Sequence, residues 1–281
     1  MKDSSQAKGA VLEELIKFYE DFNEEQRLSQ NVGKLERART QEILKRYLSP
    51  PPCIILDVGG GAGAYSFWLA KEGYEVHLID PVPLHVEQAR QAAKDQPDYP
   101  LASIKVGDAN HIDLSDSSID SVLFFGPLYH ITERDERISV LKEARRVLRK
   151  GGFIFAVGIS RFASILDGLF RGYLDDPEFQ QIVKHDLVDG QHRNPTGNPL
   201  YFTTAFFHHP EEIIAEINEA GFQIEKLLAI DGPGWLLQNF EMHWNDNARR
   251  ERLLKNMRIL EEDPSLLGIS AHIMAIARKP A

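Results

Sequence analysis

The sequence predicts an α/β fold: a mostly parallel, doubly wound, Rossmann-like sheet. Three observations carry this. From residue 53 to residue 159, short β-branched runs alternate with helical stretches, and repeated strand-then-helix order builds a parallel sheet. The first strand runs into Gly59-Gly60-Gly61-Ala62-Gly63 at the start of a helix, where open α/β sheets bind nucleotide-like ligands. Carboxylates then stand at the ends of the next two strands, at Asp80 and Asp108.

Taken in order, residues 11–48 carry charged helical periodicity, with Leu12, Leu15, Ile16 and Tyr19 as one apolar stripe and Leu35, Ile43 and Leu44 in a second helix. Pro50-Pro51-Pro52 stops that helix. Strand Cys53–Val58 leads to helix Ala64–Glu72, strand Glu75–Ile79 to helix Pro83–Lys94, and strand Leu101–Val106 to a polar loop. Strand Ile119–Phe125 leads to helix Glu133–Arg149, which Lys150-Gly151-Gly152 ends before strand Phe153–Ile159. The rhythm breaks after Ser160. Residues 161–209 are rich in aromatic, Asp, His and Pro residues, lack a clean strand, and read as an insertion over the sheet. Helix Pro210–Ala220, strand Phe222–Ile230, a polar helix over 245–262 and strand Ser270–Arg278 complete the chain. Four segments are expected: an N-terminal helical cap (1–52), a ligand-binding core (53–159), an acceptor-side lid (160–209) and a C-terminal completion of the core (210–281).

Composition narrows the function. A formal net charge of -10 disfavours a phosphate-binding surface and with it a nucleic-acid partner. The single cysteine, Cys53, excludes a disulfide framework or a cysteine metal cluster. Met1 to Ala10 has no apolar stretch of signal-peptide length, and the longest apolar runs are of strand length, so no membrane association and a cytoplasmic location are expected.

The carboxylates choose the ligand. Asp57 lies two residues before the first glycine, and Asp80 ends the second strand, where it can accept from both hydroxyls of a ribose. Asp108 ends the third strand and can meet an adenine amine. Gly59-x-Gly61-x-x-Ala64 nearly fits a dinucleotide fingerprint. A pyrophosphate, however, needs a helix N-terminus free of negative charge. Asp57 at the mouth of the turn suits a cation instead, such as the ammonium or sulfonium of S-adenosylmethionine.

Asp57-Val-Gly-Gly-Gly-Ala-Gly63, Asp80, Gly107-Asp108-Ala109 and Glu143-Ala-Arg-Arg-Val-Leu-Arg-Lys-Gly-Gly152 together resemble the successive motifs of class I S-adenosylmethionine-dependent methyltransferases, most closely the group named after the ubiquinone-biosynthesis methyltransferase (type 11). The resemblance spans Cys53 to Ile159 strongly and the final strands more weakly. It implies a seven-stranded sheet with an antiparallel last strand, and a monomeric or homodimeric enzyme. By the same resemblance, Asp57, Gly59, Gly61 and Gly63 would hold the methionine moiety and Asp80 the ribose, with Pro81 or Val82 against the adenine. Asp108 and Ala109 would read the adenine edge. Phe125 to His130 would line the space between donor methyl and acceptor.

The expected reaction is direct in-line methyl transfer to a small-molecule acceptor. His130 and Tyr129, at the carboxyl end of a central strand, are the candidate catalytic residues, for positioning the acceptor or taking its proton. Packing of the cofactor shell is the competing explanation for both. His208 and His209 either place an imidazole over the pocket or, the favoured reading, cap the following helix; His272 is expected to be a satisfied sheet histidine, and His185 and His192 to be solvated. Tyr19, Arg27 and Arg39 are candidates for closing over the cofactor, although Glu36 and Arg39 at i,i+3 spacing read as a surface ion pair. Glu133 to Arg137 read as a solvated first turn. No metal is expected, since His209 and Glu212 have no evident third ligand. Two rivals stand beside this reading: a nicotinamide-dependent oxidoreductase, and a non-catalytic protein that only binds S-adenosylmethionine.

Overall fold

The structure is a computed structural model that describes residues 13–20 and 24–281. Leu12 of the expected apolar stripe and the stretch Met1 to Ala10 lie outside them. Nine strands are present among the described residues: β1 (Ile54–Val58), β2 (Glu75–Asp80), β3 (Ser103–Val106), β4 (Ile119–Phe124), β5 (Leu148–Ser160), β6 (Gln191–His192), β7 (Ala205–His208), β8 (Gln223–Ala229) and β9 (His272–Arg278). Seven form the main sheet in the order β3-β2-β1-β4-β5-β9-β8. All run parallel except β9, which is antiparallel to both its neighbours. The parallel sheet and antiparallel last strand agree with the sequence reading.

Burial on both faces explains why these strands read as apolar runs rather than alternating ones. Val122, Leu123 and Phe124 in β4 are fully buried, as are Ile273 to Ala277 in β9. One layer packs Leu56, Phe124, Leu141, Val147 and Ile217; the other packs Ile55, Leu123, Phe155, Ile43 and Leu44. Each such Leu, Ile or Phe contributes about 1.5–3 kcal/mol. The helix Gly33–Tyr47 turns Leu35, Ile43 and Leu44 inward, and the prolines from Pro50 end it before β1.

Five expectations need correction. The insertion does contain strand: β7 continues the sheet beside the end of β5, pairing Ile159 with Phe207 and Ser160 with His208, and β6 pairs antiparallel with it. Its two strands are too short to show a period-two pattern. The segment Lys150-Gly151-Gly152 is not a separate helix stop, because the chain is already extended from Leu148 and the glycines lie within β5. The ion pair between Glu36 and Arg39 does not form: Glu36 pairs with Arg27, while fully buried Arg39 pairs with Glu42 and Glu261.

The insertion has its own small core of Phe179, Ile182, Val183 and Tyr201. His192 belongs to it, 1% exposed, with Nδ1 on Asp186 at 2.9 Å and Nε2 on the Tyr201 carbonyl at 2.8 Å. It is therefore not solvated, whereas His185 is exposed. Arg137 also departs from the expected solvated turn. It is buried against Glu216 at 2.6 Å, with its guanidinium 3.7 Å from the Phe206 ring centre.

Candidate active site

The carboxyl ends of the parallel strands open into one cavity of about 1180 Å³. It exceeds the volume typical of a single small-ligand site. Asp57, Gly59, Gly61, Gly63, Asp80, Pro81, Asp108, Ala109, Phe125, Tyr129 and His130 all line it. These eleven residues are thus brought together, although they come from the ends of four strands.

The glycine turn is built around Asp57. The side chain is 1% exposed, and its Oδ2 accepts from the Ser66 hydroxyl at 2.7 Å, in the first turn of the helix Ala64–Lys71. A Cβ at Gly60 would lie 2.8 Å from the Asp57 carboxylate, so the turn folds directly over it. Gly63 has φ +89°, and a Cβ there would meet the Phe67 ring at 2.7 Å. Burial pushes the Asp57 carboxyl up to about 7; the Ser66 bond opposes this and the Asp80 charge adds to it.

Asp80 ties the second strand to the turn. Oδ2 accepts from the Gly61 amide at 2.8 Å, and Oδ1 from the Val82 amide at 2.9 Å, with His85 Nδ1 3.1 Å away. His85 is 4% exposed, lines the cavity, and leaves its buried Nε2 without a partner. Asp108, by contrast, is exposed and accepts from the Asn110 amide at 2.7 Å, while Ala109 is buried.

His130 sits in the short helix Pro127–His130 after β4. Its Nε2 meets the Tyr19 hydroxyl at 2.9 Å, and its buried Nδ1 has no hydrogen-bond partner. Burial lowers its pKa to about 4, against the pull of the Asp80 charge, so the imidazole is neutral at physiological pH. Tyr129 packs against it with ring centres 4.7 Å apart. The N-terminal helical residues 13–20 and the insertion close this end together. Phe18 and His130 both pack on Phe202, and the Glu14 carboxylate accepts from the Thr204 hydroxyl at 2.6 Å.

Of the other candidates, Tyr19 and Arg27 line the cavity and Arg39 does not. His208 and His209 stay out of it: buried His208 approaches Glu216, and the His209 amide donates to Glu212 at 2.7 Å, half of a capping box. His272 is paired as expected, with Nδ1 2.9 Å from Asp231, yet it also lines the cavity. The sequence reading passed over Tyr65, His85 and Asp231. Asp231 and His272 had a usable signal: they follow β8 and open antiparallel β9, which places both on the same functional edge as Asp80.

Residues 56–156 match a family profile described as a methyltransferase domain. The chain is 36% identical over 112 residues to the ubiquinone/menaquinone biosynthesis C-methyltransferase UbiE of Acidiphilium cryptum (strain JF-5), covering 40% of this chain and 44% of that protein. It spans less than half the length of the curated relatives it matches. Among solved structures, an S-adenosylmethionine-dependent methyltransferase from Methanosarcina mazei superposes with a TM-score of 0.58 at 21% identity, over 85% of this chain and 97% of that one. Geranyl diphosphate C-methyltransferase from Streptomyces coelicolor A3(2), solved with Mg²⁺, geranyl diphosphate and S-adenosyl-L-homocysteine, gives 0.54 at 12% identity, over 86% and 79%. Such low identities establish the shared fold. Residues 56–156 of this chain thus match a methyltransferase domain, and the chain shares its fold with S-adenosylmethionine-dependent methyltransferases.

Proposed function

We propose that this protein transfers the methyl group of S-adenosylmethionine to a small-molecule acceptor held in the same cavity. The observation that carries the proposal is the buried Asp57 carboxylate beneath the glycine turn. Together with Asp80 it places two acidic groups where a dinucleotide would bring its pyrophosphate. They suit a ligand with a cationic amino-acid end and a ribose. His85 Nε2, buried and unpartnered beside Asp80, offers a further polar contact to such a ligand.

In this reading Asp57 and Gly59 to Gly63 hold the methionine moiety, Asp80 the ribose, and Pro81, Asp108 and Ala109 the adenine. When bound, S-adenosylmethionine supplies an electrophilic methyl group for in-line displacement. The chain's own task is to align the acceptor and exclude water, which supplies roughly 7–11 kcal/mol when reacting groups are well oriented. Phe125 and Tyr129 shape the space between donor and acceptor. His130, kept neutral by burial that opposes its protonation, accepts at Nε2 from the Tyr19 hydroxyl and so orients Tyr19 toward the acceptor. The closed aromatic lid and the size of the cavity favour a small acceptor. Geranyl diphosphate is a small molecule of this kind for one structural neighbour.

Incubation with methyl-labelled S-adenosylmethionine and pools of small acceptors tests the proposal. Label transferred to a small molecule, with S-adenosylhomocysteine released, supports it. Saturable cofactor binding with no transfer to any pool would favour a non-catalytic binder.

A further inference from the structure

The end of the cavity reached by β8 and β9 holds a second polar cluster, separate from the glycine turn. Arg27 and Glu36 form a two-point ion pair, with Arg27 Nη2 donating to Glu36 Oε1 at 3.1 Å. His272 Nδ1 lies 2.9 Å from Asp231 Oδ2 and 3.9 Å from Glu36. That leaves Nε2 as the remaining hydrogen-bonding atom of the ring. Tyr65 completes the group. It is 8% exposed and lines the cavity, and its hydroxyl has no well-formed hydrogen bond although Thr40 flanks it.

An unpartnered phenol costs free energy when buried, so a group that supplies its missing hydrogen bond binds favourably. Charge balance identifies the group. Burial works against the His272 charge, but Glu36 and Asp231 outweigh it and hold the ring's pKa above the ordinary value. Arg27 pairs with Glu36 and His272 with Asp231, so each carboxylate already has its partner. Among these four groups an incoming phosphate, carboxylate or ammonium would meet no unpaired counter-charge, and it would lose its hydration. A neutral hydroxyl loses far less, because it both donates and accepts. It can donate to Glu36 and accept from Tyr65 or His272 Nε2. The walls leading to the cluster are apolar: Leu28, Phe125, Val157 and Ile230. Phe125 meets the Tyr65 ring edge-on at 5.3 Å.

We propose that this end of the cavity is the acceptor's anchoring subsite, and that it takes a neutral hydroxyl carried on a planar, apolar body. The proposal rests on the methyl-transfer reading for what is anchored, but its recognition chemistry can be measured separately. An acceptor so held has its polar head at the β9 side and its body along Phe125 and Tyr129, toward the glycine turn.

The test uses the full chain saturated with S-adenosylhomocysteine, and three probes of one shape: 2-naphthol, 2-methylnaphthalene and protonated 2-naphthylmethylamine. Failure of the chain to bind S-adenosylhomocysteine at all would count against the methyl-transfer reading, and the probes are then compared on the empty chain. Fluorescence titration is expected to show 2-naphthol binding about tenfold or more tighter than 2-methylnaphthalene, the advantage of one recovered buried hydrogen bond. Tyr65→Phe should erase most of that preference and leave the affinity for S-adenosylhomocysteine unchanged. Equal binding of naphthol and methylnaphthalene, preference for the ammonium probe, no binding of any probe, or an undiminished preference in Tyr65→Phe would each overturn the assignment. The wild-type comparison of probes decides the matter even if the variant fails to fold.

Discussion

If Asp57 holds the amino-acid end of the cofactor as proposed, cofactor binding depends on pH. The Asp57 carboxyl titrates near 7 in the folded chain against an ordinary value of 3.8, because burial disfavours the charge. The cationic amino-acid end of S-adenosylhomocysteine needs the ionised form, so binding below pH 7 must first remove a proton. At pH 6 only about one molecule in eleven carries the charge, and affinity should be roughly tenfold weaker than at pH 8. Asp57→Asn should abolish that dependence. It should also weaken binding at pH 8 by about 1.5–3 kcal/mol, the worth of a hydrogen bond to a charged group. Stability moves in the opposite sense. The folded state binds more protons than the unfolded state between pH 3.8 and 7, so the empty protein loses stability as pH rises across that window, by at most about 4 kcal/mol. The advantage of Asp57→Asn in thermal denaturation should therefore grow from pH 5 to pH 8. Calorimetric titration with S-adenosylhomocysteine from pH 6 to 8.5 reads the binding arm. An affinity flat across that range in the wild type, or a slope that survives in Asp57→Asn, would refute the reasoning.

Further outcomes are expected elsewhere. Asp80→Ala removes the acceptor that fixes the Gly61 and Val82 amides, and should weaken S-adenosylhomocysteine binding by about 3–5 kcal/mol, summed over two charged hydrogen bonds, as read by calorimetry. Gly63→Ala forces a side chain into φ +89° against Phe67, and should destabilise the chain by about 1–3 kcal/mol in denaturant unfolding. Arg39→Ala removes one of the two arginines on the buried Glu261 carboxylate and leaves Arg46, and should cost about 1.5–3 kcal/mol in the same assay, the worth of a charged hydrogen bond. Once an acceptor is found, His130→Ala should lower turnover about a hundredfold or more while leaving cofactor affinity within about twofold. Unchanged turnover would return His130 to a packing role.

The glycine-turn end of the cavity was legible because it is local. Strand, glycine turn and helix lie within residues 54–71, and each following carboxylate marks the end of one strand. The parallel sheet was legible for a related reason: two-sided burial leaves uninterrupted apolar runs. What the sequence could not display was pairing across long separations. Arg39 and Glu261 are 222 positions apart, and Tyr19 and His130 are 111 apart. A charge such as Arg137 looks solvated until a distant carboxylate, here Glu216, is folded onto it. His272 shows the same effect at the cavity. Its strand position and the antiparallel sense of β9 were expected, which put it on the ligand-binding edge, but its pairing with Glu36 and Asp231 was not legible.

A cavity built for S-adenosylmethionine, as proposed, differs from one built for a dinucleotide in what it binds. Calorimetric titration of the intact chain with S-adenosylhomocysteine, and in parallel with NAD⁺ and NADH, tests it most directly. The account predicts saturable binding of S-adenosylhomocysteine, with one site per chain, and no heat from either dinucleotide. Saturable binding of a dinucleotide, with no response to S-adenosylhomocysteine, would contradict it.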